Sequence, residues 1–450
     1  MKRLITTIKN IWAIEDLRKR ILYTLSLVLV YRIGSYVVLP GVDPSQLSGL
    51  QSQTQEGIMG LLNMFSGGAF ANASIFALGI MPYITASIVV QLLVMVVPYF
   101  QKKQREGESG RRQMTQITRY LTILVTILQA PAYITNMMSQ LGASTTAIYP
   151  FDGSDPSVFF WISSILILTS GTLFVMWLGE RITDKGIGNG ISLLIMVGII
   201  ARLPFALVGE FGSRMEEGGG LIMFLVEIVI WLVVILLCIL LVQGTRKIPV
   251  QYAKRVIGNK QYGGVRQYIP LKVNAAGVMP IIFAQAIMFI PITLLGFSDS
   301  QSGSGFLAVF SDFNGFWYNF VFAILIIAFT FFYTAIAINP NQMADDMKKN
   351  GGFIPGVKPG KKTAEYLESI LSKITLPGSI FLAIVAILPA FVSLLGVNSQ
   401  FAQFYGGTSL LIMVGVILDT LQQIESHLLM RHYDGLTKTG RIKGRSSLPA

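Results

Sequence analysis

The chain has 450 residues, of which 52% are hydrophobic and 13% are charged, and its formal net charge at pH 7 is +12. Soluble globular proteins carry about 25% charged residues, so this composition excludes an ordinary soluble protein and indicates an integral membrane protein. The single cysteine, Cys238, lies in an apolar run and excludes both a disulfide framework and a thiolate metal site.

The first residues combine basic and apolar side chains. In a helix, apolar side chains would lie near one face: Leu4, Ile5, Ile8, Ile11, Trp12 and Leu17. The pattern mimics a signal peptide, but Arg32 interrupts the apolar run that follows and no small-residue cleavage site comes after it. We expect a retained amphipathic segment.

Apolar runs of about 20 residues recur along the chain, and each is long enough to cross a hydrocarbon core of about 30 Å as a helix. They lack the two-residue alternation of barrel strands. We therefore predict an all-α membrane protein with ten spans. They lie near residues 21–39, 75–98, 119–139, 158–179, 187–207, 221–243, 274–296, 316–338, 375–396 and 407–426.

Basic residues indicate the orientation, because loops that stay in the cytoplasm carry an excess of Lys and Arg. With ten spans, the two termini and four alternate loops share one side. Those segments hold all of the 35 basic residues except Arg32, Arg202 and Arg214. The distribution predicts cytoplasmic termini and places the positive charge where it meets acidic lipid or an anionic partner.

The second predicted span has an unusual beginning. The stretch "FSGGAFANASIFALGIMPYITASIVVQLL", residues 65–93, is apolar, but small and polar residues fill its first half and Pro82 follows. Residues 60–74 are too few to span a bilayer, and Gly67 and Gly68 loosen them further. Non-helical backbone at this depth is tolerated only where it lines a cavity or is covered by protein.

Three cytoplasmic segments, residues 99–118, 244–273 and 339–374, exceed the length of a hairpin connection. Attraction to anionic lipid explains isolated basic residues, each contributing about 1 kcal/mol near the surface. The segments as wholes indicate docking of a large soluble partner, because loops of this length are usually functional. In "IPVQYAKRVIG", apolar Ile248, Val250 and Val256 stand among the bases.

Motifs for chemistry are missing from the sequence. His427 and His432 lack a metal-ligand spacing, "GVKPGKKT" has the wrong spacing for a phosphate loop, and "GIGNGIS" is no dinucleotide fingerprint. We expect no enzymatic activity, no cofactor, no metal and no direct nucleotide binding. Energy from a nucleotide would have to come from another protein.

Ion-coupled transport requires ionisable residues deep in the spans. The candidates Arg32, Glu227, Asp419 and Glu425 all lie in the outer part of a run, where snorkelling to the interface explains them, and no paired charges are expected within the membrane. Abundant glycine, 44 residues, suits close helix packing in a transporter or a channel. The residues alone leave both classes open.

Six long stretches resemble signature sequences of the SecY family, the main subunit of the bacterial protein-conducting channel. They are "FSGGAFANASIFALGIMPYI", "EGESGRR", "GERITDKGIGNGIS", "PLKVNAAGVMPIIFA", "FIPGVKPGKKTAEYL" and "GGTSLLIMVGVILDT". The resemblance implies ten helices in two inverted five-helix halves around an hourglass pore that opens across the membrane and sideways into lipid. The halves would be residues 1–207 and 208–426, followed by a basic cytoplasmic tail, residues 427–450.

The resemblance also assigns roles to residues. Residues 60–74 match the plug, a short re-entrant helix that closes the exoplasmic funnel. The second and seventh spans would form a lateral gate. The plug residues are Asn63, Phe65, Gly67, Gly68 and Phe70, and the gate residues are Thr85, Gln91 and Asn274. The isoleucines of the narrowest point are Ile80, Ile84, Ile191, Ile195, Ile282 and Ile412.

The implied partners are SecE-like and SecG-like small subunits, a SecA-type motor ATPase or a ribosome, polypeptides with signal sequences, and anionic lipids. Cytoplasmic binding would involve Arg246, Lys247, Lys254, Arg255, Lys260 and Lys358. Many family members carry paired arginines at the tip of the loop after the sixth span, whereas this chain has Asn259 and Lys260 there. Lysine lacks the bidentate fork of arginine, so the neighbouring bases would contribute more.

The resemblance implies a passive channel for unfolded secretory polypeptides in the bacterial inner membrane. A multispan flippase or solute transporter would share the composition, but it needs a polar midplane site. A non-transporting scaffold is the third class. The small-residue plug and the isoleucine ring disfavour both, whereas solute uptake into vesicles without any preprotein would favour the transporter.

Overall fold

Helices form most of the structure. The computed structural model describes residues 12, 14–44, 47, 57–141, 158–216, 220–252, 255–257, 260–262, 266–296 and 315–439. The expected amphipathic segment at the beginning of the chain lies almost entirely outside these residues, as do the tip residue Asn259 and the basic residue Lys254.

Seven helices come first in the described part of the chain. They are α1 (Glu15–Gly34), α2 (Gly57–Phe65), α3 (Met81–Val96), α4 (Pro98–Arg105), α5 (Glu108–Leu141), α6 (Val158–Lys185) and α7 (Gly190–Glu216). Helix α3 packs against α5, α5 against α6, and α6 against α1. Each of these contacts lies within one compact unit of the structure.

The remainder of the chain adds seven helices and five strands. They are α8 (Gly220–Gln243), β1 (Thr245–Tyr252), β2 (Arg255–Ile257), β3 (Lys260–Tyr262), β4 (Arg266–Lys272), α9 (Met279–Gly296), α10 (Phe316–Ala337), α11 (Pro340–Lys349), β5 (Gly352–Phe353), α12 (Lys361–Leu394), α13 (Ser399–Ala402) and α14 (Gly407–Thr439). Helix α10 packs against both α9 and α12, and α11 packs against α12.

The chain forms two compact units. One comprises the described parts of Met1–Gln53, Asn63–Ala201 and Val416–Ala450, and the other comprises those of Thr54–Leu62 and Arg202–Gly415. Helices α2, α7 and α14 therefore contribute residues to both units.

The chain is a multi-pass membrane protein. In the described part of the chain, seven helices are long and apolar enough to cross a bilayer. They comprise α5 to α8, the stretch Phe316–Lys349, α12, and Gly407–Leu428 of α14. Helices α1, α3 and α9 overlap the other three predicted spans, and Met81–Val94 of α3 is a shorter apolar helix. The count of ten spans stays a prediction.

The second span begins later than its predicted start at residue 75. Residues 66–80 form successive turns, and α3 begins at Met81. Pro82 therefore occupies the first turn of the helix and not its interior. Proline is compatible with this position because the first helical N–H groups have no partner within the helix. The positive φ of Ala73, 44°, and of Gly79, 53°, keeps the preceding residues out of the helix.

The predicted plug helix, residues 60–74, is helical only in part. Helix α2 begins at Gly57 and ends at Phe65, and turns follow it. Gly67 and Gly68 have φ values of 64° and 94°, a left-handed conformation that ends helices and favours glycine. The two adjacent glycines thus fix where the helical part stops.

The basic segment 244–273, which we expected as a long loop, contains a β-hairpin. Strand β1 pairs with β4 in an antiparallel register that sets Ile248 opposite Ile269, and β5 adds a third strand on the other edge of β1. Ile248 and Val250 point to a buried face, while Lys247 and Pro249 are exposed. This alternation is typical of a sheet covered on one side.

That buried face packs on helices α11 and α12 within the same unit. The apolar cluster comprises Ile248, Val250, Leu271, Met347, Ile354, Leu367, Ile370, Leu371 and Ile374. Helix α12 begins at Lys361, well before the predicted span at 375, because its first turns support the sheet instead of crossing the membrane. The sheet is therefore a packed part of this unit and not an isolated loop.

Candidate functional site

The turn that follows α2 closes the end of the helix. The Gly67 N–H donates to Met64 O at 3.0 Å, and the Gly68 N–H donates to Asn63 O at 2.8 Å. These bonds occupy carbonyl groups that a helix end otherwise leaves without partners. Glycine at both positions therefore lets the chain reverse at the end of α2.

Two buried polar side chains hold the following turn. Asn63 Oδ1 accepts a bond from the Ala71 N–H at 3.1 Å. Ser66 Oγ donates to Asn63 O and accepts from the Phe70 N–H, both at 3.1 Å. Their exposed fractions are 6% for Asn63 and 2% for Ser66. Residues 63–71 are thus held together by internal hydrogen bonds, although they do not form a continuous helix.

Gly67 lies against Gly198 of α7 with no space for a side chain. A Cβ added to Gly67 would lie 2.9 Å from the Gly198 Cα atom. A Cβ added to Gly198 would lie 3.1 Å from both Gly67 N and Phe65 O. The predicted plug residue Gly67 is therefore needed for contact as well as for its φ value.

Side chains from α1 and α5 donate hydrogen bonds to carbonyl groups of the same turn. Tyr31 Oη donates to Ser66 O at 3.2 Å, and Arg32 Nη1 donates to Gly67 O at 2.8 Å. Tyr133 Oη donates to Phe70 O at 2.9 Å, and its ring contacts the Phe70 ring edge-on at a centroid distance of 4.8 Å.

The sequence alone predicts no role for Tyr31 or Tyr133, and it explains Arg32 only as a side chain that snorkels to the membrane interface. No periodic pattern reveals them, because the partners are backbone carbonyls 35 or 63 residues away along the chain. The interruption of an apolar run by Arg32 was the one visible signal.

The six predicted ring isoleucines fall in both units. Ile80, which precedes the first turn of α3, and Ile195 of α7 are each 4% exposed, and Ile412 of α14 is 3% exposed. The other three are half-buried: Ile84, Ile191 and Ile282. The first four of these isoleucines in chain order belong to one unit, and Ile282 and Ile412 belong to the other. Their assembly into a ring stays a proposal.

The predicted gate residues have local partners or none. Thr85 Oγ1 donates to Met81 O at 3.1 Å and Gln91 Nε2 donates to Ser87 Oγ at 3.4 Å, both within α3. Asn274 is buried, and its Oδ1 has no hydrogen-bond partner among the described residues. Each side chain is therefore able to gain a partner.

Five of the six predicted basic residues lie in the described part of the chain, on the strands or just before α12. Arg246 and Lys247 are exposed residues of β1, and Lys358 is exposed before α12. Arg255 and Lys260 lie on β2 and β3, which pair with each other. Lys254 lies outside the described residues.

Helices α7 and α8, both long and apolar enough to span a membrane, carry an ion-pair cluster that the sequence did not predict. Arg214 of α7 contacts two carboxylates, Glu210 Oε1 at 2.9 Å and Glu227 Oε1 at 2.6 Å. Glu227 is 3% exposed, so it does not snorkel, whereas Asp419 and Glu425 are exposed. The predicted fifth span ended at residue 207, one turn before Glu210, and so the pairing was missed.

This charged cluster fastens a connection between two helices. Glu210 Oε2 accepts a bond from the Asn398 N–H at 2.8 Å, and Tyr405 Oη donates to Glu227 O at 2.8 Å. Trp231 Nε1 donates to Phe404 O at 2.8 Å. The cluster thus ties the segment between α12 and α14 to α7 and α8, a structural role and not a transport site.

Within the described ranges, no group of three or more His, Cys, Asp or Glu side chains is placed to hold a metal ion. Cys238 is buried and free.

Comparison with known proteins identifies a family. The SecY family model matches residues 74–421. A relative from Streptomyces scabiei, named protein translocase subunit SecY, is 44% identical over 448 residues, which cover 97% of this chain and 100% of the relative. A relative of the same name from Mycobacterium tuberculosis H37Rv is 45% identical over 443 residues, covering 94% of this chain and 97% of the relative.

Solved structures share the fold. One described as "The structure of a protein conducting channel" has a TM-score of 0.62 at 18% identity, with 94% and 95% of the two chains covered. A structure that concerns the SecY plug domain and its membrane seal has a TM-score of 0.59 at 18% identity. Sec61 in a canine ribosome-channel complex has a TM-score of 0.58 at 17% identity. Both cover 94% of this chain and 95% of the other.

Proposed function

Because this chain belongs to the SecY family, we propose that it forms the passive channel through which unfolded secretory polypeptides cross the membrane. The observation that supports this most is the match to translocase subunits over 97% of the chain. The chain is a channel subunit and not an enzyme. Translocation would be driven by a SecA-type motor ATPase or by a translating ribosome.

The channel would be built from two inverted five-helix halves, residues 1–207 and 208–426, around an hourglass pore. The six isoleucines Ile80, Ile84, Ile191, Ile195, Ile282 and Ile412 would form its constriction. Branched aliphatic side chains bind no passing residue strongly, and a hydrophobic constriction blocks ions by dewetting. The ring would thus admit a polypeptide while it holds ions back.

The segment from Asn63 to Phe70 would be the plug beneath that ring. Its backbone bonds, its buried polar side chains and its contact with Gly198 support a well-defined resting position. The related structure of the plug domain is described as stabilising a closed channel. In this chain the plug would seal the idle channel and move aside for a substrate.

Hydrophobic segments would leave sideways between the second and seventh spans, α3 and α9. Thr85 and Gln91 of α3, and Asn274 before α9, would line this gate. Interhelical polar contacts in membranes average about 0.6 kcal/mol. A few such contacts would therefore leave the closed and open states of the gate close in free energy. A signal sequence would then be able to shift it.

The cytoplasmic sheet would be the docking surface for the motor or ribosome. Exposed Arg246 and Lys247 lie on strand β1, which is packed against helices, and Lys358 follows β5 closely in the sequence. A ribosome-bound Sec61 channel shares the fold. SecE-like and SecG-like small subunits, polypeptides with signal sequences and anionic lipids would complete the partners, in a bacterial inner membrane with both termini cytoplasmic.

Reconstitution tests this function. The chain is purified with its small subunits, placed in vesicles with the motor and ATP, and given a radiolabelled preprotein. We expect the preprotein to become protected from added protease only when motor, ATP and signal sequence are all present. Uptake of a fluorescent solute by vesicles that lack preprotein would instead indicate a solute transporter.

A further inference from the structure

The plug segment and the residues after it are attached to their surroundings in two different ways, by side chains of α1 and α5 and by the backbone of residues 37–39. The first attachment is the set of three side-chain donors, Tyr31, Arg32 and Tyr133, which bind carbonyl groups between residues 66 and 70. These bonds break by rotation of side chains alone. Arg32 also retains a second partner, since its Nη2 lies 3.3 Å from Tyr36 Oη and its guanidinium lies 5.5 Å from the centre of the Tyr36 ring.

The second attachment uses backbone alone. The Leu39 N–H donates to Ala73 O at 2.8 Å, and the Ile75 N–H donates to Val37 O at 2.9 Å, around an antiparallel bridge between Val38 and Ser74. Leu39, Ala73 and Ser74 are at most 1% exposed. Separation of this bridge would leave buried N–H and C=O groups without partners, which is costly away from water.

We propose that the three side-chain donors, with Arg32 foremost, are a releasable latch and that the bridge between residues 37–39 and 73–75 is the fixed hinge about which the plug moves. This inference rests on the proposed channel function. Arg32 is foremost because hydrogen bonds with a charged partner are about twice as strong as neutral ones. Its charge also lies at the carbonyl end of α2, where a cation is favoured by the helix dipole.

The geometry of the hinge supports this division. Ala73 keeps a φ of 44°, which is unusual for a residue other than glycine and persists only where the surroundings hold it. Gly67 and Gly68, at the latch, have φ values that cost glycine little in any surroundings. The backbone is thus constrained at the bridge and adaptable at the latch.

The latch is tested with Arg32→Met, which keeps the length of the side chain but removes its donors. We expect the open fraction of idle channels in planar bilayers to rise about 10- to 100-fold, and that of Tyr133→Phe to rise roughly fivefold. Arg18→Met, an exposed change on the same helix as Arg32, and Tyr120→Phe, 72% exposed on the same helix as Tyr133, are the controls. Unchanged sealing by both latch variants, with normal amounts in the membrane, would overturn the latch.

The hinge is tested with Val38→Cys and Ser74→Cys in a chain that also carries Cys238→Ala. Residues opposite each other in an antiparallel pair have Cα atoms about 4.5–5.5 Å apart, which a disulfide spans. We expect the oxidised pair to translocate preprotein as well as the reduced pair. Loss of translocation on oxidation, restored by a reductant, would mean that the bridge separates on opening and would overturn the hinge.

Failure of the channel function itself has a different signature. In that case the unsubstituted chain would translocate no preprotein in the same vesicles, and the oxidised and reduced pairs would be equally inactive. A working unsubstituted channel therefore isolates the latch and the hinge as the only features under test.

Discussion

Arg214 Nη2 lies 2.6 Å from Glu227 Oε1, and the same guanidinium binds Glu210, so that one buried cation serves two buried carboxylates. The side chains are 11% exposed for Arg214 and 4% or less for the two glutamates. Without Arg214, the carboxylates of Glu210 and Glu227 would be buried with no cation beside them. Without the charge of one glutamate, Arg214 would still be paired with the other glutamate.

The first prediction is that the arginine of this cluster contributes more to stability than either glutamate. Arg214→Leu should destabilise the protein by about 3–5 kcal/mol, as expected when one partner is removed from a buried ion pair. Glu227→Gln should destabilise the protein clearly less than Arg214→Leu. Thermal unfolding of the two variants in mild detergent measures the difference, and equal losses of stability would contradict the assignment of Arg214 as the shared cation.

The second prediction concerns the close contact at Gly67. Gly67→Ala should loosen the plug and raise the idle conductance, because its Cβ would lie 2.9 Å from Gly198 Cα. Gly107→Ala is a matched control, since Gly107 also has a positive φ, 77°, but its Cβ would meet no atom within 4 Å. Single-channel recording should separate the two variants, and similar conductance would mean that backbone strain alone is at work.

The third prediction concerns the isoleucine ring. Replacement of Ile84, Ile195 and Ile282 by Ser should stabilise water in the constriction and let ions leak through the idle channel. The assembled protein should persist in the membrane. The control is the same triple change at Ile162, Ile230 and Ile324, which are 48–56% exposed on outer helix surfaces. Normal sealing by the ring variant would place the constriction elsewhere.

The fourth prediction concerns the lateral gate. Gln91→Leu should change which signal sequences are accepted, because it removes a polar group near the seam without breaking any bond outside its own helix. Export of a panel of preproteins with graded signal hydrophobicity measures this change. A photocrosslinker at Thr85 should capture a stalled secretory chain, and failure to do so would show that the seam is misplaced.

The fifth prediction concerns the docking surface. Arg246→Glu with Lys247→Glu should weaken binding of the motor or ribosome at physiological salt, and so should Lys254→Glu with Arg255→Glu. The sheet should stay folded, because its buried side chains are Ile248 and Val250 and not the exposed bases. As a control, Arg18→Glu with Lys19→Glu makes the same charge change on exposed residues of α1, outside the three long segments. Equal binding by all three variants would refute a specific basic surface.

The sequence was a good guide to the helices, since every predicted span overlaps a helix of the structure. It was a poor guide to their ends. Hydropathy marks the part of a helix that lies in lipid, but α5 begins at Glu108 and α12 at Lys361, where charged residues continue the helix in water. The late start of α3 was not predicted, because an average of hydropathy does not detect the turns formed by positive φ values. These values occur at Gly67, Gly68, Ala73 and Gly79.

The hairpin of β1 and β4 had a signal that was present in the sequence. Ile248, Val250 and Tyr252 alternate with polar or small residues, as strands do, but the run of basic residues favoured a loop. The bonds of Arg32 to Gly67 and of Arg214 to Glu227 had no such signal. They depend on how distant segments meet, which a single sequence does not encode as a period.

The most direct test of a plugged polypeptide channel is a recording from the purified, reconstituted complex in planar bilayers, before and after addition of a functional signal sequence. The unsubstituted channel should stay closed to ions when idle and should open on addition of the signal sequence, and an added motor, ATP and preprotein should keep it occupied. A steady ion conductance or solute flux that ignores the signal sequence would contradict the assignment.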